Sequence, residues 1–236
     1  MLPIKDNVPT RTFPVVTVAL IAVNVLVWIW EVAGTSVDAD IFHYGYYPCS
    51  LDGPCVQPAV LVHHVPWYEG VFTSMFMHGS WIHIGGNMLF LWIFGNNVED
   101  AFGHVRFLFW YLAAGLAAAA TQTVVTLAFA APAGASIPNV GASGAIAGVL
   151  GAYLVLLPGA SVLTAFIIVV IVFLREIPAV LFLGLWFLFQ LWEGSFSILQ
   201  PQAGGGVAFF AHIGGFLFGV ATVRLMVTRR PPSPAW

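Results

Sequence analysis

The sequence predicts an all-α polytopic membrane protein, a bundle of six transmembrane helices, and three observations lead there. Hydrophobic residues fill 60% of the 236 positions and charged residues only 7%, where an ordinary soluble domain carries about 25% charge. The apolar residues are gathered into stretches approaching the roughly 20 residues that cross a bilayer as a helix. The few cations fall near the ends of those stretches. Seven basic and ten acidic residues cannot cover a water-facing surface, which takes about 25–35% charge, so a soluble globular protein is excluded. A net charge of −3, without a run of cations to track phosphates, excludes nucleic acid as a partner. The surface such a composition fits is the lipid bilayer.

Residues 1–12 read as a cytoplasmic amino-terminal segment, 13–227 as the membrane domain and 228–236 as a polar, disordered cytoplasmic tail. The first apolar stretch, Phe13 to Ala33, follows Lys5 and Arg11 and lacks a small-residue cleavage site; it is a span, not a signal peptide. A long connection follows from Gly34 to Ser80, with Trp67, Tyr68 and Trp81 as interfacial aromatics. Further spans are expected over 81–94, 107–131, 143–158, 177–192 and 207–227.

The apolar stretch 161–174 is shorter than the roughly 18 residues that indicate a span. Cation placement decides against its crossing, because basic residues gather on the cytoplasmic side. If it does not cross, Lys5, Arg11, Arg106, Arg175, Arg224, Arg229 and Arg230 all lie on one side. If it crosses, the last four move to the other face. Six spans with both termini cytoplasmic, in a plasma (inner) membrane, is therefore the expected arrangement. The 161–174 stretch would lie along or dip into the cytoplasmic leaflet, and its β-branched content permits an extended form as well as a helix.

Polar groups within spans cost several kcal/mol unless partnered or wet, which makes them functional candidates. His83 and Asn87 share one face of the second span, Ser143 opens the fourth between Gly141 and Gly144, and His212 lies near the start of the sixth. Each has an ordinary reading: a Gly-Ala-Ser-Gly run packs helices, and a lone histidine can be satisfied by a carbonyl. Topology brings them together, because the second, fourth and sixth spans all run inward from the outer face. Gly144, Gly148 and Gly151 on the fourth span, with Gly215 and Gly219 on the sixth, would let the two backbones approach closely. Ser143 and His212 then become neighbours. A serine hydroxyl needs a base such as neutral imidazole. No carboxylate shares that depth, so a dyad rather than a triad is expected. His83, Asn87 and the Ser143 N–H are candidate donors to an oxyanion.

These motifs resemble those of the rhomboid family of intramembrane serine proteases. The resemblance runs from about Phe72 to Gly219 and rests on His78 through Asn87, Gly141 to Gly144, and Ala211 to Gly215 with Gly219. It implies a six-helix bundle that cleaves single-span membrane proteins near the outer membrane face. Ser143 would be the nucleophile, His212 the base, His83 and Asn87 the oxyanion donors, and His78 a supporting histidine; Glu99 would be structural. The sequence departs from the family pattern at Tyr68, Glu69 and Gly70, where a Trp-Arg pair often stands. It departs again at Ala147, where some members carry an aromatic packed on the base; either another aromatic, such as Phe209 or Phe210, then holds His212, or the ring stays looser.

Cys49 and Cys55 flank a turn-forming sequence on the expected outer face, so a disulfide or two free thiols fit. A zinc site joining them to His43, His63 or His64 has no recognised spacing. There is no H-E-x-x-H motif and no Gly-rich phosphate loop, so the expected chemistry uses neither metal nor cofactor. Two rivals remain at this stage: a non-catalytic member that binds transmembrane helices, and a small-solute transporter, for which no inverted repeat is seen.

Overall fold

The structure is a computed structural model, and it describes every residue except 1, 35, 52–54, 57–63, 131, 169–170, 200–207 and 236. It is mostly helical. In chain order come β1 (Leu2–Asp6), α1 (Val15–Ala33), α2 (Val37–Tyr44), a 3₁₀ turn at Pro48–Ser50, α3 (Trp67–Thr73) and α4 (Trp81–Phe90). The chain continues through a π-helical stretch, Leu91–Gly95, into α5 (Asn96–Phe102), then α6 (His104–Phe129), α7 (Pro132–Ala135) and α8 (Ser143–Leu156). Strands β2 (Ser161–Ile168) and β3 (Ile171–Pro178) precede α9 (Ala179–Leu199) and α10 (Phe209–Met226). Among the described residues, four helices are long and apolar enough to cross a membrane: Val15–Ala33, His104–Phe129, Ala179–Ser197 and Phe209–Met226. Helix α8 is apolar but shorter. Residues 81–102 run without a break in helical structure, through the π stretch.

The core lies among α4 to α6, α8 and α10, where Leu91, Phe94, Phe107, Tyr111, Leu150 and Tyr153 are fully or almost fully buried. Much of the apolar side-chain surface faces outward instead, including Leu26, Phe109, Val124, Leu188, Trp192 and Leu225, as expected where lipid replaces water as the solvent.

Two buried carboxylates hold the start of α1. A helix begins with backbone N–H groups that have no partner within the helix. Glu99 accepts from Val16 N (2.8 Å), Thr17 N (2.7 Å) and Thr17 Oγ1 (2.6 Å), and Asp100 accepts from Thr12 N (3.1 Å) and Thr12 Oγ1 (2.8 Å). His104 Nδ1 also reaches Glu99, at 2.5 Å. Negative charge there also complements the positive end of the helix dipole.

Within the stretch 161–174, residues 161–168 and 171–174 are extended rather than helical. Strands β2 and β3 pair antiparallel, with Ser161 opposite Pro178 and Ile168 opposite Ile171. β1 adds to the other edge of β2, with Leu2 opposite Ala165 and Asp6 opposite Val162, giving a sheet in the order β1-β2-β3. The amino-terminal residues thus form a strand that sequence patterning did not anticipate, and the sheet places them beside the connection from α8 to α9. Residues 228–235 carry no helix or strand. Thr228 N and Arg229 N nevertheless donate to Ala101 O, and Ala235 N donates to Asn7 O.

The sheet is fastened to the bundle where the Tyr153 hydroxyl donates to Asp6 Oδ2 (2.6 Å). Burial pushes the Asp6 carboxyl up from 3.8 to about 6, with the Tyr153 hydroxyl opposing part of that rise. A folded pKa above the unfolded one means that the protonated acid suits the folded state. The group's contribution to stability is therefore greatest at low pH and falls as pH rises from about 4 through about 6. Thermal unfolding in detergent across that range should show this slope in the wild type, and Asp6→Asn, which keeps an acceptor for Tyr153, should flatten it.

Candidate active site

Packing between α8 and α10 places the central pair. A Cβ added at Gly215 would meet the Gly144 carbonyl oxygen, one at Gly219 the Gly148 carbonyl oxygen, and one at Gly151 the Phe216 carbonyl oxygen. At these three positions backbone meets backbone directly, the close approach anticipated from the glycine spacing. At the end of this seam, His212 Nε2 lies 2.7 Å from Ser143 Oγ.

The loop before α8 is tied to the first connection. Gly141 N donates to Ser74 O (2.8 Å), while Tyr46 and Asn139 exchange backbone bonds of 3.2 and 2.8 Å. Gly141 has φ +117, a conformation that favours glycine. A Cβ there would stand 2.7 Å from His83 Nε2 and 3.6 Å from Asn87 Nδ2. Gly141 thus lets the serine loop and α4 come together. Ser80 caps α4 by accepting from His83 N (3.2 Å), which fixes His83 in the first turn.

The ring tautomers follow from their partners. Gly79 N donates to His83 Nδ1 (3.4 Å), which leaves the His83 proton on Nε2, the nitrogen beside Gly141. His78 Nδ1 lies 3.2 Å from Phe76 O and its Nε2 lies 3.0 Å from Asn87 Nδ2. A carbonyl only accepts, so Nδ1–H donates to it and Nε2 accepts from the Asn87 amide. Burial, and after it the neighbouring His83, pushes the His78 imidazole down to about 4, so it stays neutral near pH 7 and holds the amide with its N–H₂ end toward the ring. His78 N in turn donates to both oxygens of Glu31, at 3.3 Å each. Glu31, buried in α1, was not singled out from the sequence, although it is the one ionisable residue in the first apolar stretch.

His83, Asn87, Ser143 and His212 all line one cavity of about 610 Å³. Gly86 and Phe90 of α4, Ile146 and Leu150 of α8 and Trp186 of α9 extend its wall along the apolar bundle. The ring beside His212 is Trp186, with centroids 5.8 Å apart, and not Phe209 or Phe210 as the sequence suggested. Those two face α9 at Gly194, where an added Cβ would lie 3.5 Å from Phe209 Cβ and 3.3 Å from Phe210 Cζ. His212 Nδ1 meets Gln190 Oε1 at 2.7 Å, another contact not read from the sequence. Ala211 N donates to Gln122 Oε1 (3.1 Å), which ties the first turn of α10 to α6.

Cys49 and Cys55 form a disulfide, with Cα atoms 5.4 Å apart. Both sulfurs are thereby used, so they offer no thiolate to a metal; His63 lies outside the described residues. Trp67 and Tyr68 of α3, with Trp81, are exposed, as suits interfacial aromatics.

The Rhomboid domain family matches residues 66–229, well over half of the chain, a range that includes His78, His83, Asn87, Ser143, Gln190 and His212. The protein belongs to the rhomboid family. It is 32% identical over 187 residues to rhomboid-like protein 11, chloroplastic, of Arabidopsis thaliana, covering 72% of this chain and 57% of that protein. It is 30% identical over 155 residues to rhomboid protein 1, mitochondrial, of Saccharomyces cerevisiae, covering 64% of this chain and 39% of the relative. An 88-residue stretch, 37% of this chain and 15% of the relative, is 39% identical to rhomboid protease GluP of Bacillus subtilis. The rhomboid chain thus spans between 15% and 57% of the length of these three relatives. It is an integral membrane protein with a helical bundle fold.

The seam between α8 and α10 is open to a direct test. Alanine is the better helix former by about 1 kcal/mol, yet a methyl group at Gly219 would run into the backbone of Gly148 and Ala152, and overpacking costs about 1–3 kcal/mol. Gly219→Ala should therefore lower the melting temperature in detergent, while Gly85→Ala, with nothing within 4 Å of the added carbon, should leave it unchanged or raise it.

Proposed function

We propose that this rhomboid protein is an intramembrane serine endopeptidase that cleaves single-span membrane proteins near the outer membrane face. The observation that carries the reading is the 2.7 Å contact between His212 Nε2 and Ser143 Oγ at the wall of a cavity shared with His83 and Asn87. The chain crosses the membrane six times, with 81–102 and α8 completing the set, and both termini lie on the side that carries the cations. That side is the cytoplasm in a plasma (inner) membrane, or its counterpart in an organelle such as those named for the mitochondrial and chloroplastic relatives.

His212 accepts the Ser143 proton as Oγ attacks the scissile carbonyl, and the new C–O bond leaves negative charge on the carbonyl oxygen. The second Asn87 amide proton, the His83 Nε2–H and the Ser143 backbone N–H are the donors that meet that charge. The Ser143 N–H opens α8 and has no acceptor within its own helix. The imidazolium then gives its proton to the leaving amine, and an ester to Ser143 remains. Water, deprotonated by the same ring, hydrolyses it.

A peptide bond inside an intact helix is shielded by its own hydrogen bonding, so the substrate has to unwind locally before Ser143 can reach it. In proteoliposomes carrying a single-span substrate, Ser143→Ala should lower cleavage by at least about 10³-fold with an unchanged melting temperature. Adding Gly or Pro near the cut should raise wild-type cleavage. Retained cleavage in Ser143→Ala would remove the nucleophile assignment, and solute uptake without cleavage would favour a transporter.

A further inference from the structure

We infer that Gln190, on α9, is a positioning residue for the base, fixing the proton of His212 on Nδ1 so that Nε2 is free to accept from Ser143. The inference rests on the dyad reading above and adds a third member that the reading does not require.

Three observations converge on it. Gln190 Oε1 is 2.7 Å from His212 Nδ1, on the side of the ring opposite the 2.7 Å contact to Ser143. Gln190 is buried, only 5% exposed, on a helix whose neighbouring residues Leu183, Leu185, Leu188, Phe189 and Leu191 are apolar. An amide at such a position costs several kcal/mol unless it is bonded, so a partner is expected, and the ring of His212 is that partner. Third, Trp186 lies one helical turn earlier on the same face, with its ring centroid 5.8 Å from that of His212. One face of α9 therefore supplies both a ring and an acceptor to the base.

Proton accounting gives this contact its meaning. Neutral imidazole carries one N–H, and whichever nitrogen holds it cannot act as a base. With the Gln190 oxygen facing Nδ1, the proton sits on Nδ1, and Nε2 presents its lone pair to the Ser143 hydroxyl. With an amide N–H₂ in that place the order reverses, and the ring can no longer take the Ser143 proton. Gln190 does for His212 what an orienting carboxylate does in a triad, without adding charge in a low-dielectric site. It holds the tautomer and leaves the stability of the imidazolium largely to other groups. Among the described residues that line the cavity with His212, the other ionisable side chain is His83.

This assignment separates from a purely structural one through the pH profile. In the proteoliposome assay, Gln190→Leu should lower kcat by about 10²-fold with KM within about twofold. Gln190→Glu should retain cleavage, because the carboxylate still accepts from Nδ1. Its negative charge stabilises the imidazolium, so the acidic limb of kcat against pH should move upward by about one to two units. Wild-type kcat in Gln190→Leu together with an unshifted limb in Gln190→Glu overturns the inference. If Gln190→Leu does not fold, the limb of Gln190→Glu alone decides. Loss of the dyad reading looks different: a wild type with no cleavage that depends on Ser143 removes both proposals, whereas wild-type kcat in Gln190→Leu with an unshifted limb in Gln190→Glu, in a protein whose cleavage does depend on Ser143, removes only the Gln190 assignment.

Discussion

The site depends on two helices whose backbones touch. Side chains between α8 and α10 would hold them apart, and glycines at 151, 215 and 219 set each backbone directly against the other, while Gly144 and Gly148 make room for Ala118 and Ala114 of α6. That contact fixes the depth of Ser143 relative to His212 and brings a hydroxyl within 2.7 Å of an imidazole across 69 residues of sequence. In lipid there is no gain from hiding apolar surface between helices, so association relies on close packing and hydrogen bonds. A seam without side chains maximises the first, and the Ser143–His212 bond lies at its end.

Around this seam, each functional group is oriented by a partner on another element. Ser74 on the first connection holds Gly141, and Gly141 in turn lets His83 and Asn87 of α4 come close. His78 fixes the Asn87 amide, and Glu31 of α1 holds the backbone of His78. On the other side α9 contributes Trp186 and Gln190. The proposed oxyanion donors come from α4 and α8, the proposed base from α10 and its neighbours Trp186 and Gln190 from α9, so the arrangement forms only when all four helices are packed. At the far end, Glu99 does comparable work for α1 by accepting from its unpaired N–H groups, and Asp100 holds Thr12 just before it.

Much of this was legible in the amino-acid sequence because the informative residues are expensive in lipid. Ser143, His83, Asn87 and His212 stand out in spans that are otherwise apolar, and the glycine spacing on two helices predicts their contact. Gln190 and Glu31 obey the same rule and were still passed over. Gln190 lies in a stretch so uniformly apolar that no face can be assigned from periodicity, and Glu31 sits at the end of its span, where charge is usual. The sheet was less accessible still. Residues 161–168 are apolar on both faces and carry no period that separates strand from helix, and the partner strand Leu2–Asp6 is five residues interrupted by a proline. Pairing between them is set by tertiary contacts, such as Tyr153 with Asp6, that no local pattern contains.

The central claim is that His212 activates Ser143 and no other hydroxyl. Treatment of the purified protein with a fluorophosphonate, followed by mass spectrometry of its peptides, tests this without any substrate. The account predicts a single adduct on Ser143 that forms in the wild type and is lost in His212→Ala. An adduct on another residue, or equal labelling of Ser143 when the imidazole is gone, would contradict it.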